Sequence, residues 1–140
     1  MTTTQPPTSV TSYLHRRRER FRHVLRCFQF SDFYGKRILE VGGNDCEIAG
    51  YFRSLGAEHV TIINLSPCLP DGRVAPGIEF RCADARSLAD DLKGERFDIV
   101  FGVAILEHLN NMAQALAEFR SLLRPNGLVF MGGNPLWSSS

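Results

Sequence analysis

The stretch Arg37-Ile38-Leu39-Glu40-Val41-Gly42-Gly43-Asn44-Asp45-Cys46 decides the fold of this 140-residue chain. A short apolar run containing one acidic residue breaks into two glycines, and a helical pattern begins soon after them. This order predicts a buried parallel strand that passes through a tight turn into the N-terminus of a helix. Glycines in such a turn let backbone N–H groups approach a ligand with no side chain in the way.

The rest of the chain repeats the alternation of strand and helix. The predicted helices after the first turn are 47–55, 87–93 and 111–123, and 66–77, with its prolines and glycines, is predicted to be a loop. The predicted strands are 38–41, 59–65, 78–82, 97–103 and 128–131. Apolar strands that alternate with helices indicate a mostly parallel sheet with helices on both faces, and right-handed crossovers favour a doubly wound, Rossmann-like α/β fold.

Composition places the chain among globular proteins with a single domain. It is 44% hydrophobic and 22% charged, with a net charge of +1, so charge alone does not indicate a polyanionic partner. No apolar run reaches the length of a membrane span, which is about 18 residues. The cysteines (Cys27, Cys46, Cys68 and Cys82) form no Cys-x-x-Cys pair. We therefore expect no metal site, reduced thiols and a cytoplasmic protein.

The domain organisation follows from shifts in composition. Residues 1–12 are rich in Thr and Pro and are predicted to be a disordered tail, and 13–30 is predicted to be a basic amphipathic helix. The core is assigned to 36–134. Residues 135–140 are predicted to be a C-terminal tail, and truncation from a longer protein at this point stays an open alternative.

Polar residues stand where predicted strands end. Asn64 closes the second strand and Asp84 follows the third. Because ligands of doubly wound sheets bind at the carboxyl ends of the strands, we expect these side chains near the glycine turn. Simpler roles stay open: the glycines can form a tight turn only, Asn64 can be an ordinary turn residue, and Asp84 can cap the next helix. The glycine spacing does not fit the Gly-x-Gly-x-x-Gly motif, which argues against binding of NAD or FAD. The chain also has no Walker motif, which argues against a nucleotide triphosphatase.

Four motifs, taken in order, resemble those of the class I S-adenosylmethionine-dependent methyltransferases of the small-molecule type. They are Glu40-x-Gly42-Gly43-Asn44, Cys82-Ala83-Asp84-Ala85, the strand from Phe97 that leads to Leu106-Glu107-His108, and Leu123-Arg124-Pro125-Asn126-Gly127. The resemblance covers 36–134. The family's first motif is usually Glu-x-Gly-x-Gly-x-Gly, where this chain has Asn44 and Cys46, and the family's acidic residue on the second strand is Asn64 here.

The resemblance implies S-adenosyl-L-methionine as cofactor and methyl transfer to an O, N or C nucleophile of a small molecule. Asp84 would then accept a hydrogen bond from the adenine amino group, and the Ala85 N–H would meet a ring nitrogen. His108 is a candidate general base, although with Glu107 its commoner role would be to orient the following loop. The implied cofactor-binding residues are Glu40, Gly42, Gly43, Asn44, Asn64, Leu65, Asp84, Ala85, Gly102 and Val103.

Two other functions stay open at this point. A cofactor-binding pseudoenzyme or assembly module would account for Asn44, Cys46 and Asn64, and an RNA methyltransferase could use the basic helix 13–30. Family members usually continue past the fifth strand with a helix and an antiparallel hairpin, which this chain lacks. We therefore expect a homodimer or a missing C-terminal segment to cover that strand. A membrane partner is not expected, and a nucleic acid is not favoured.

Overall fold

A mostly parallel sheet forms the centre of the structure, a computed structural model that describes residues 32–42, 47–65, 72–102 and 109–132. All of these residues except Asp32 belong to one compact unit that begins at Phe33. The strands are β1 (Arg37–Val41), β2 (His59–Asn64), β3 (Gly72–Ala75), β4 (Ile78–Cys82), β5 (Phe97–Gly102) and β6 (Leu123–Met131).

The strand order is β3-β4-β2-β1-β5-β6. Every neighbouring pair is parallel except β3 and β4, which are antiparallel. The chain moves outward from β1 in one direction through β2 and β4, and in the other through β5 and β6. The predicted doubly wound sheet is therefore confirmed, and its switch point lies between β1 and β5.

Helices cover the two faces of the sheet: α1 (Glu47–Ser54) lies on one face, and α2 (Leu88–Asp91) and α3 (Met112–Leu122) lie on the other. On the α1 face, Phe52 packs edge-on against Phe101 of β5, with ring centroids 5.0 Å apart. On the other face, Phe119 of α3 belongs to the buried cluster that contains Val100. Because neighbouring strand residues point to opposite faces, Val100 and Phe101 connect the sheet to both helical layers.

Strand β3 was not predicted, so the expected loop 66–77 is wrong for residues 72–75. Ala75 pairs with Ile78 across the Pro76-Gly77 turn, and Gly77 has a φ of +75°. Proline followed by a glycine of positive φ is the sequence of a type II turn, which joins two antiparallel strands here. The strand is short and lies at the edge of the sheet, so it has no long apolar run to mark it.

Other boundaries differ from prediction by a few residues. Helix α3 ends at Leu122, and β6 begins at Leu123 instead of residue 128. The pairing of β5 with β6 shifts its register between Phe97 and Ile99, and Asn126, with a φ of +64°, lies in the irregular part of β6. The expected pairing segment 128–131 is present, since Leu128 to Met131 face Ile99 to Gly102.

Several predictions concern residues outside the described parts of the chain. These are the tail 1–12, the basic helix 13–30 and the tail 135–140. None of the helices in the described residues is long and apolar enough to cross a membrane.

The side chain of Arg53 ties the end of α1 to the β3–β4 turn. Its Nε donates to the Pro76 carbonyl at 3.2 Å, and its Nη1 donates to the carbonyls of Glu58, at 3.0 Å, and Ala57. The guanidinium therefore satisfies carbonyl groups from two loops at the amino ends of the strands. Gly77 lies directly beneath it, where a Cβ atom would overlap the guanidinium.

We predict that Gly77→Ala destabilises the fold by about 1 kcal/mol more than Gly94→Ala. Both glycines have nearly the same φ, +75° and +77°, so both variants carry the cost of a left-handed alanine. A Cβ at Gly94 meets no atom within 4 Å, whereas one at Gly77 displaces Arg53. Urea unfolding of the two variants measures the difference, and equal losses would contradict the role given to Arg53.

Candidate functional site

The carboxyl ends of β1, β2 and β4 adjoin along one edge of the sheet, called the carboxyl rim below. The Gly42 N–H, just after β1, donates to the Ile63 carbonyl of β2 at 2.8 Å. The Ala83 N–H, just after β4, donates to the Asn64 carbonyl at 3.0 Å. Parallel pairing therefore continues to the last residue of each strand, so the loops that leave these strands begin side by side.

The end of β1 provides a buried carboxylate and a glycine turn. Glu40 is only 2% exposed and faces Ile62 and Phe101 in the neighbouring strands. Gly42 has a φ of +79°, a conformation that glycine adopts without steric cost. Gly43 and Asn44, which were predicted to complete this turn, lie outside the described residues.

The end of β2 is tied to the end of β4. Asn64 is half-buried and pairs in register with Cys82. The Cys82 thiol donates to the Leu65 carbonyl at 3.2 Å. The Leu65 side chain is 64% exposed, so it presents apolar surface at the rim between two polar strand ends.

Asp84, two residues after β4, is held by Arg86. The Arg86 backbone N–H and Nε donate to Oδ1 of Asp84 at 2.9 and 3.1 Å, and Nη2 donates to Oδ2 at 2.8 Å. These bonds from Arg86 hold the pKa of the Asp84 carboxyl below its ordinary value. Asp84 is therefore ionised at neutral pH and acts as a hydrogen-bond acceptor.

The alternative that Asp84 caps the next helix is wrong. Ser87 occupies the N-cap position of α2 and makes no capping bond through its side chain. The Asp84 backbone carbonyl accepts from the Ser87 N–H at 3.0 Å, which closes a turn before the helix. The Asp84 side chain is thus directed to Arg86 and not to the end of α2.

Helix α3 holds the loop between β4 and α2 together with the first turn of α2. The Gln114 Nε2 donates to the Arg86 carbonyl at 3.0 Å, and Glu118 Oε2 accepts from the Ala89 N–H at 2.6 Å. Gln114 is itself fixed, because its N–H donates to the Asn111 side chain that caps α3. Sequence reasoning missed Arg86, Gln114 and Glu118 as parts of the site. The i, i+4 spacing of Gln114 and Glu118 predicts that they lie on one face of a helix, but it does not predict which segment this face contacts.

The remaining predicted residues lie at the end of β5 and at the start of the β4–α2 loop. Gly102 is buried and ends β5, and its carbonyl accepts from the Gly132 N–H at 2.8 Å. Ala85 packs against the apolar cluster beneath α2 and α3. Val103 and the candidate general base His108 lie outside the described residues.

The carboxyl rim can act as a row of hydrogen-bond acceptors for a polar ligand. Glu40 and Asn64 lie near the ends of β1 and β2, Asp84 follows β4, and these three strands are consecutive in the sheet order. Gly42, which has no side chain, lies beside them. Carboxylate and amide oxygens accept from hydroxyl and amino groups, which is the donor set of a nucleoside. Within the described ranges no group of three or more His, Cys, Asp or Glu residues is arranged to hold a metal ion.

Comparison with known proteins gives a consistent result. Residues 39–131 match the family model described as a methyltransferase domain. A ubiquinone biosynthesis O-methyltransferase of Bartonella bacilliformis is 30% identical over an alignment of 121 residues that covers 80% of this chain and 47% of that protein. The chain therefore spans about half the length of this relative.

Solved structures show the same fold. The N-methyltransferase NodS of Bradyrhizobium japonicum WM9 superposes with a TM-score of 0.66 at 20% identity, covering 84% of this chain and 68% of NodS. NodS in complex with S-adenosyl-L-homocysteine gives a TM-score of 0.59 at 21% identity, covering 81% and 60% of the two chains. By its family match, this chain belongs to the methyltransferase-domain family, and its fold is that of NodS.

Proposed function

We propose that the chain is the cofactor-binding core of an enzyme that transfers a methyl group from S-adenosyl-L-methionine to a small molecule. The observation that carries this proposal is the carboxyl rim, where acceptor side chains stand at the ends of β1, β2 and β4, three adjacent strands. The family match over 39–131 and the methyltransferases that resemble the chain support it.

The residues of the rim fit the parts of an adenosyl sulfonium. Asp84 provides an ionised acceptor for the adenine amino group, and Asn64 provides an amide for a ribose hydroxyl. Gly42, which has no side chain and a positive φ, is assigned to the amino-acid end of the ligand together with Gly43 and Asn44. The other proposed contacts are those of Glu40, Leu65, Ala85, Gly102 and Val103.

Asn64 has a neutral amide where the family usually has a carboxylate, and this difference weakens the proposed hydrogen bond to the ribose. Charged hydrogen bonds exceed neutral ones by about 1 kcal/mol, so Asn64 holds a hydroxyl less strongly than an acidic residue would. The Asn64 amide has both an acceptor oxygen and a donor NH₂ group, so it can accept a hydrogen bond from a hydroxyl or donate one to it. Binding of the ligand therefore depends more heavily on Asp84 in this chain.

When bound, S-adenosyl-L-methionine supplies a methyl group on a positively charged sulfur that is already activated for transfer. The protein has to align this group with the acceptor and exclude water, and neither task needs a nucleophilic side chain. Asp84, Asn64 and the Gly42 turn would orient the donor. His108 is proposed as a base that removes a proton from the acceptor.

The acceptor and the partners of the whole protein are proposals of the same kind. An oxygen nucleophile is suggested by the O-methyltransferase that resembles this chain, and a nitrogen nucleophile by NodS. Strand β6 is at the edge of the described sheet and its Leu128 is 45% exposed, which favours a second copy or a further segment beside it. A cytoplasmic location stays a prediction from composition.

Asp84→Ala should weaken binding of S-adenosyl-L-homocysteine by about 1–3 kcal/mol, because the adenine amino group loses a charged acceptor. Isothermal titration calorimetry of the wild type and the variant measures the loss. Asp91→Ala is the matched control, since it removes an exposed carboxylate from the end of α2, and its affinity should equal that of the wild type.

Unchanged affinity in Asp84→Ala would remove Asp84 from the site, and a wild-type chain that binds neither S-adenosyl-L-methionine nor S-adenosyl-L-homocysteine would overturn the proposed function. Transfer is tested separately, with radiolabelled S-adenosyl-L-methionine and a panel of phenol, amine and activated-carbon acceptors. Label in at least one acceptor is expected. Binding without transfer to any acceptor would favour the pseudoenzyme instead.

A further inference from the structure

Arg86 saturates one oxygen of the Asp84 carboxylate and leaves the other partly open. Oδ1 accepts two bonds, from the Arg86 N–H at 2.9 Å and from Nε at 3.1 Å. Oδ2 accepts one bond from Arg86, that of Nη2 at 2.8 Å. An ionised carboxyl has about four acceptor positions, two on each oxygen. The position that Arg86 leaves open is therefore on Oδ2.

The Asp84–Arg86 pair is anchored to the body of the domain, unlike an isolated surface ion pair. Gln114 of α3 donates to the Arg86 carbonyl at 3.0 Å, and the Ala89 N–H beyond it donates to Glu118 at 2.6 Å. These two contacts hold the loop and the first turn of α2 from the same helix, which is buried against the sheet through Phe119. The backbone that carries the Asp84–Arg86 pair is thus held by contacts between residues 28 and 29 positions apart in the chain.

We propose that Arg86 is a positioning residue for the adenine end of the cofactor, which holds the Asp84 carboxylate so that Oδ2 can accept the adenine amino group. The inference rests on the proposed function and deepens it. Arg86 itself does not contact the ligand in this account. Arg86 fixes the Asp84 side chain before the ligand binds, so that Asp84 loses no rotamer freedom on binding. Fixing one side chain in this way raises the affinity about two- to ten-fold.

A competing effect has the opposite sign. If Arg86 blocked the carboxylate, the adenine amino group would have to displace a guanidinium donor, and removal of Arg86 would tighten binding. The geometry favours positioning, because a single amino donor needs only the open position on Oδ2 and can leave the three Arg86 bonds in place. The sign of the change in affinity therefore separates the two accounts.

The test compares Arg86→Ala with Arg96→Ala by calorimetric titration of S-adenosyl-L-homocysteine. Arg96 is an exposed arginine that donates to the Glu95 carbonyl beside it, just before β5, so its loss gives the same change in net charge away from the rim. Arg86→Ala should bind the ligand about two- to ten-fold more weakly than the wild type. Arg96→Ala should bind like the wild type, and thermal melts should show both variants folded.

A double-mutant cycle with Asp84→Ala shows whether Arg86 acts through Asp84. In the Asp84→Ala background, Arg86→Ala should cause no further loss of affinity. A second readout needs no ligand: the pKa of the Asp84 carboxyl, followed by NMR in the free protein, should rise toward its ordinary value in Arg86→Ala. Gln114→Ala should weaken binding in the same direction by a smaller factor.

Unchanged or tighter binding in Arg86→Ala would overturn the positioning role, and so would an equal loss in the presence and absence of Asp84. These outcomes leave the proposed function intact as long as the wild type binds and Asp84→Ala binds more weakly. Failure of the wild type to bind S-adenosyl-L-homocysteine would overturn both proposals together.

Discussion

The parallel hydrogen-bond ladder through β1, β2 and β4 is the constraint on which the rest of the structure depends. It extends one residue past the ends of β1 and β4, through the bonds from Gly42 to Ile63 and from Ala83 to Asn64. A shift of one residue in either pairing would turn Glu40, Asn64 or their neighbours to the opposite face. The carboxyl rim exists because this register brings three loops to the same edge, although their residues are about 20 positions apart in the chain.

The amino ends of the strands have a different chemistry. There Arg124 near the start of β6 contacts Asp98 of β5 at 3.1 Å. Glu79 near the start of β4 and Glu95 just before β5 are both bound by Arg81, the penultimate residue of β4, at 2.6 and 2.8 Å. Bonds from Arg81 lower the pKa of Glu79, and burial is the main cause of the lowered pKa of His59 beside it. These mutual pairs satisfy the amino ends within the protein. At the carboxyl rim, by contrast, Asp84 keeps an acceptor position beyond its bonds to Arg86, and this position is the one proposed for the ligand.

Local pattern in the sequence was sufficient to predict the parallel strands of the sheet. The apolar residues of β1, β2 and β5 and the glycine that follows β1 specify strands and a turn by their own preferences. Strand β3 could not be identified by apolar pattern, because it is short and is stabilised by the neighbouring β4. The Pro76-Gly77 pair was the available signal, since it is typical of a turn between antiparallel strands.

The candidate site could be predicted only in part. The positions of Glu40, Gly42, Asn64 and Asp84 near strand ends were predicted, because strand ends can be located from sequence and parallel strands bring their ends together. The part of these residues in binding stays a proposal. Arg86 was not predicted as a site residue, because its proposed role depends on the direction of its side chain, which the sequence does not specify. Gln114 and Glu118 meet their partners 28 and 29 residues away, at distances that only the packing of α2 against α3 determines.

Hydrogen exchange with and without S-adenosyl-L-homocysteine measures most directly whether the carboxyl rim is one binding site. We predict that the ligand slows exchange at Gly42, Leu65 and residues 83–87 together, because their loops contact the same molecule. Amides at the opposite edge, such as Gly35 and Gly56, should exchange at unchanged rates. Protection at that opposite edge, or at only one of the three rim loops, would contradict the account.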